Sequence, residues 1–180
     1  RTGRTLRRAQ RRFFSEPGAG EDGTTWPVPM VIRYGDAAGV REHRVLLRER
    51  SAEVSLPGDG EPEFVFANAG ATGFYRVAAD APGLAALVRA LPRLATPERI
   101  ALLSDEWALV RAGAREVAAF LALCAGFGAE DDHAVLDELV GRLAFVDHRL
   151  VADADRPALA RFVAGLLGPQ LAATGWDASA

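Results

Sequence analysis

The chain carries few residues that could run chemistry, and their spacing limits what they could do. The three histidines are His43, His133 and His148. Metal-assisted hydrolysis needs three protein ligands around one ion, an open fourth position and a general base. Glu42-His43 has no second histidine four residues on. His133 and His148 stand fifteen residues apart on one helical stretch, which at ~1.5 Å of rise per residue puts them near opposite ends. Ser104-Asp105 offers the start of a hydrolytic triad, but it falls mid-helix without the glycines of a nucleophile elbow. Asp153 and Asp155 are paired carboxylates in a turn before a helix, where capping and solvation account for them. The single cysteine, Cys124, lies in an apolar helical run and reads as a small buried hydrophobe. Trp26, Trp107 and Trp176 read as packing residues rather than ligand-stacking ones.

Composition narrows the classes further. The 180 residues are 49% hydrophobic and 25% charged, an ordinary globular balance with room for one large or two small domains. The net charge of −3 gives no reason to expect a nucleic-acid partner. All 21 basic residues are arginine, a bias of bacterial genomic type rather than the need of one site. Arg1, Arg4, Arg7, Arg8, Arg11 and Arg12 crowd the start and read as the polar face of a strand ending at Phe13-Phe14, not as a phosphate-binding arm. One cysteine excludes an internal disulfide. No apolar run reaches the ~20 residues of a membrane span. The chain opens on Arg1 without an initiating methionine, as a cut-out fragment would. The compartment is therefore not readable from the N-terminus, and the cytoplasm is the expectation.

The elements that would position these residues fall into two halves. Over residues 1–79 the runs are short and turn-punctuated. Val28, Met30, Ile32 and Tyr34 alternate, residues 40–48 form a further strand, and Ala52, Val54 and Leu56 share one face of another. Phe64-Val-Phe-Ala, a glycine turn at Gly70 and Gly73, and Phe74-Tyr-Arg-Val complete about six strands, spaced as in an immunoglobulin-like antiparallel sandwich. Over residues 80–180 the period is helical. Asp80 caps a helix over 82–91, and Thr96-Pro-Glu98 opens one with the stripe Ile100, Leu103, Trp107 and Val110. Gly113 closes it. Further helices are predicted near 114–126, near 131–150 and from about Asp155, the last bent or ended by Pro169. The fold class is α+β in two segregated parts, a β-sandwich followed by an antiparallel α-helical array.

Several runs together resemble a known family. Asn68-Ala-Gly-Ala-Thr-Gly73-Phe-Tyr-Arg-Val77 resembles the Asn…Gly-Tyr-Tyr-Arg-Val signature of M1-type zinc aminopeptidases, the aminopeptidase N family. Gln10-Arg-Arg12-Phe13 resembles the Gln-x-Arg-Phe of their β-sandwich domain, and Trp26-Pro-Val-Pro29 their Trp-x-Ile/Val-Pro. The run from Arg99 through Asp105 to Gly113, and the Leu171…Gly-Trp176 run, resemble motifs of the helical domain that follows. The order and spacing of these runs span essentially the whole chain. They correspond to the sandwich and the first part of a superhelical, HEAT-like domain, lacking the family's first sandwich strand and its later helices.

The resemblance implies a parent that removes N-terminal amino acids from peptides, using zinc held by His-Glu-x-x-His and a downstream glutamate. None of those residues is in this chain. No catalytic or metal-binding residue and no cofactor is expected in it; zinc belongs to the parent's catalytic domain, which would be the chain's partner, with a peptide as the parent's substrate. The expected role is scaffolding and the start of a wall that controls substrate access. A stand-alone module that binds a protein partner is the alternative. At the junction, Tyr75, Arg76, Asp105 and Trp107 are the expected structural residues: Arg76, partly buried, would need an acid, either Asp80 by proximity or Asp105 because the family-like helix packs nearby. The missing strand and helices would leave apolar groups around Phe162, Leu166 and Leu167 uncovered, a route to self-association.

Overall fold

The computed structural model describes residues 5–18, 20 and 23–173. Five strands come first: β1 Thr5–Ala9, β2 Val28–Asp36, β3 Gly39–Leu47, β4 Ser51–Ser55 and β5 Phe64–Phe66. They form two antiparallel sheets, β1-β4 and β3-β2-β5. β2 and β3 pair along their full length, from Val28 opposite Leu47 to Asp36 opposite Gly39. Asp36 makes that tight connection by accepting from the Ala38 amide at 2.9 Å, and Gly39 takes the positive φ of 129° that a side chain would resist. The expected alternation is present: Met30, Ile32 and Tyr34 point inward, and they share one buried cluster with Leu6 of β1, Val54 of β4 and Leu47 of β3.

The helices follow. They are α1 Ala81–Arg89, α2 Thr96–Arg111, α3 Val117–Cys124, α4 His133–Arg149 and α5 Arg156–Ala173. Asp80 caps α1 by accepting from the Gly83 amide, and Asp132 caps α4 by accepting from Ala134 and Val135. Proline stands in the first turn of α1 and of α2. Gly113, at φ 70°, ends α2 with its amide on the Val110 carbonyl. The helices bury a second cluster built on Leu103, Trp107, Phe120, Leu139 and Val146. Phe64 and Phe66 belong to this helical cluster, while Val65 between them packs on the sheet cluster. Strand β5 therefore faces both cores, by the alternation of any strand.

Four expectations are corrected. Phe74–Val77 is not a strand: its polar groups go to tertiary partners instead of a ladder, as described below. The first strand ends at Ala9, and 10–14 run on without regular pairing. α5 continues through Pro169; proline forfeits one bond of the helical ladder, but Gln170 anchors the last turns through Nε2 to the Gly128 carbonyl at 2.8 Å. Finally, Leu166 is buried, and Phe162 and Leu167 pack on the helical cluster, so this face of α5 is covered within the chain.

Candidate functional site at the sheet–helix junction

Residues 67–80 carry the chain from the last strand to the first helix, and side chains rather than regular structure hold them. The buried Asn68 closes the loop with both ends of its amide, donating to the Gly73 carbonyl at 3.1 Å and accepting from the Gly73 amide at 2.8 Å. Between them a 3₁₀ turn, Ala69–Ala71, takes positive φ at Gly70 and at Ala71. The latter is a left-handed conformation that alanine adopts reluctantly. The Tyr75 hydroxyl donates to the Ala67 carbonyl at 2.8 Å, and burial pushes its pKa up to about 12.

Three acids on α2 fasten this loop to the helices. Glu98 is fully buried. It accepts from the Gly70 amide at 2.8 Å, from the Ala95 amide at 2.8 Å and from Arg33 Nη1 of β2 at 2.9 Å. One carboxylate thus ties the loop, the start of α2 and the sheet. Asp105 accepts from the Val77 amide at 2.9 Å and from Arg76 Nη1 at 3.2 Å. Burial raises its pKa above the ordinary aspartate range, against the lowering from Val77 and Arg76. Glu106 is gripped by Arg115 through Nε at 2.8 Å and Nη2 at 3.2 Å, and Nη2 also donates to the Ala79 carbonyl at 2.8 Å. Burial raises the Glu106 carboxyl too. Nearby on the same face of the sheet, Arg93 reaches the Asp36 carbonyl at 3.1 Å and pairs with Glu63, its guanidinium 5.0 Å from the Phe64 ring centre.

Of the residues singled out in the sequence, Tyr75, Arg76 and Asp105 are brought together here. Arg76 is more open than expected, its side chain 41% exposed, and Asp80 is not its acid, being committed to its own helix. Trp107 lies in the helical core, 5.1 Å from Phe120 and 5.4 Å from Phe145 between ring centres. Gln10 crosslinks three segments: its amide donates to the Trp26 and Glu49 carbonyls at 2.9 and 3.0 Å and accepts from the Trp26 amide at 2.9 Å. Arg12 lies over Phe14, and Phe13 lies under Arg76 at 5.3 Å. Trp26 and Phe13 are each about two-fifths exposed. Pro29 sits in the part of β2 that β5 does not reach, where an absent amide proton leaves one edge unaffected. Trp176 falls outside the described residues. Glu98, Arg33 and the Glu106–Arg115 pair were not singled out in the sequence. The signal for Glu98 was present, an acid at the third position of a helix opened by Thr96-Pro97.

Among the described residues no group of three or more His, Cys, Asp or Glu side chains converges; His43 is on β3, and His133 and His148 are at the two ends of α4. Burial pushes the Cys124 thiol up to about 12, which keeps it protonated. A shallow cleft of about 370 Å³ lies between the loop and α2, lined by Asn68, Ala71, Tyr75, Pro97, Ile100 and Asp105 among others. Of its polar side chains, Asn68, Tyr75 and Asp105 are already engaged in the junction.

The sheet part and the helical array are thus joined through the buried carboxylates of α2. Residues 64–180 match the ERAP1-like C-terminal domain, and the chain belongs to that family. The relatives it is similar to include proteins named as aminopeptidases, in line with the sequence motifs. It is 32% identical over 145 residues to the puromycin-sensitive aminopeptidase of Caenorhabditis elegans, covering 78% of this chain and 15% of the relative. It is 26% identical over 175 residues to the Tricorn protease-interacting factor F2 of Thermoplasma acidophilum, covering 97% and 20%. It is 27% identical over 184 residues to aminopeptidase M1 of Arabidopsis thaliana, covering 93% and 21%. The chain thus spans 15% to 21% of the length of these relatives. No helix among the described residues is long and apolar enough to cross a membrane.

Proposed function

We propose that this chain is the non-catalytic C-terminal portion of an M1-like zinc metalloaminopeptidase that removes N-terminal amino acids from peptides. The observation that carries the reading is the match to a domain described as C-terminal, on a chain whose acids are engaged in holding loop to helix. Residues 1–79 act as an immunoglobulin-like sandwich that spaces the catalytic domain from the helices. Residues 80–180 begin an antiparallel α-α superhelix, the wall that limits access of the peptide substrate. The zinc and its His-Glu-x-x-His ligands lie in the catalytic domain of the same parent, and the parent works in the cytoplasm. The chain itself neither binds nucleic acid nor inserts in a membrane. The test begins with the coding sequence upstream of residue 1: a His-Glu-x-x-His motif is expected there. The whole protein should then release aminoacyl anilide in a chelator-sensitive way, while the isolated chain should retain no stoichiometric zinc after dialysis and show no turnover. One equivalent of retained zinc with turnover by the isolated chain would refute the proposal.

A further inference from the structure

Phe74 is fully exposed. It is not carried on a loose loop. On one side Gly73 is locked to Asn68 by two hydrogen bonds; on the other, Tyr75 is tied to Ala67 and Val77 to Asp105. A side chain at Gly73 would collide with the Tyr75 ring, so the turn is tightly shaped around its neighbours. The apolar groups of Ala71, Pro97, Ile100 and Ala101 line the cleft next to this loop. An aromatic ring held out into water by a fixed backbone loses little freedom when it is covered, which is how an anchor residue at an interface behaves.

The size of the feature selects what covers it. One phenylalanine would bury roughly 150–250 Å², and the shallow 370 Å³ cleft beside its loop does not raise that to the ~800 Å² per partner of a stable interface between separate molecules. A tethered partner needs far less, because its effective concentration is about millimolar. The relatives extend far beyond the region matched here, which is 15% to 21% of their length, and residues 64–180 of it match a domain described as C-terminal. We propose that Phe74 and the adjoining cleft seat an apolar surface of the preceding catalytic domain of the same polypeptide, fixing the angle between that domain and the helices. This rests on the reading given under Proposed function.

The test uses the whole parent protein with p-benzoylphenylalanine in place of Phe74. Because the position is fully exposed, folding should be unaffected. Irradiation is expected to crosslink residue 74 to a peptide of the upstream catalytic domain within one chain. The same probe at Leu46, 43% exposed on β3, should not. Phe74→Asp in the whole protein should split one cooperative thermal transition into two. A crosslink between two chains, a crosslink confined to residues 1–180, or a single unshifted transition overturns the inference and leaves the parent assignment standing. Absence of a catalytic domain upstream overturns both.

Discussion

Glu98→Ala is the substitution that best tests whether buried carboxylates hold the junction. The side chain is 0% exposed and accepts three hydrogen bonds, two at 2.8 Å and one at 2.9 Å. Truncation leaves Arg33, whose side chain is 24% exposed and keeps Glu42 at 3.3 Å, so its charge is not stranded and the full cost of breaking a buried pair does not apply. The Gly70 amide is near solvent and recovers water, while the Ala95 amide at the start of α2 is half-buried and does so less well. Adding about 1 kcal/mol for each weakened donor to a small cavity term gives a loss of ~3–4 kcal/mol. For a domain of this size that lowers Tm by about 6–16 °C. Glu98→Gln keeps the shape but turns one acceptor into a donor, and should lose about half as much. Urea unfolding of the three proteins, with hydrogen exchange at the Gly70 amide, reads both the global and the local effect. A Glu98→Ala loss under ~1 kcal/mol, or Gly70 protection equal to wild type, would refute the claim that this carboxylate ties loop, helix and sheet.

Arg76→Ala should cost only about 1 kcal/mol, because a guanidinium this exposed is well screened; a loss as large as that of Glu98→Ala would show that it is desolvated in solution. At Asp105 the folded-state pKa is raised, so its contribution is fully present below the unfolded pKa and is lost as pH rises through the folded one. Asp105→Asn should therefore gain on wild type in urea melts as pH goes from acid to neutral, and an opposite trend would mean that Val77 and Arg76 outweigh burial. Gly35→Ala should be strongly destabilising in the same melts, since a Cβ there would fall inside the Phe64 ring and against the Arg93 guanidinium. The Cys124 thiol, raised to about 12 and fully buried, should resist alkylation in the folded protein and react at once in urea.

The parts of the fold that could be read from sequence are those that neighbours along the chain decide. Asp80, Asp132, Pro82 and Pro97 mark helix starts because capping needs only a side chain two or three residues from an amide. Met30, Ile32 and Tyr34 mark a strand because alternation is local. What escaped depends on partners far along the chain. Phe74–Val77 has strand-like residues, yet the Val77 amide bonds to Asp105, 28 positions on. Gln10 stands in a family-like Gln-x-Arg-Phe run, but nothing near it in the chain shows that its amide will crosslink Trp26 and Glu49. Glu98 showed its helix position but not Gly70 or Arg33. For Arg76 the sequence offers two acids, Asp80 and Asp105, and both the choice between them and its exposure depend on how distant segments, Phe13 among them, lie against it, which no periodicity encodes.

The two-faced packing of β5 bears on how this protein can be recombined. Secondary structure changes character near residue 80, and that is where a chimera would naturally be joined. The interior changes hands earlier, because Phe64 and Phe66 project into the helical core while Val65 stays with the sheets. A crossover at 79/80 would hand the helices two foreign aromatic side chains and separate Glu98 from the loop it was selected with. A crossover in the 57–63 turn would move β5, the loop and its buried acids as one inherited block, leaving the pairing with β2, the Arg33–Glu98 and Arg93–Asp36 contacts and the packing of Val65 on the sheet cluster to be matched across the seam.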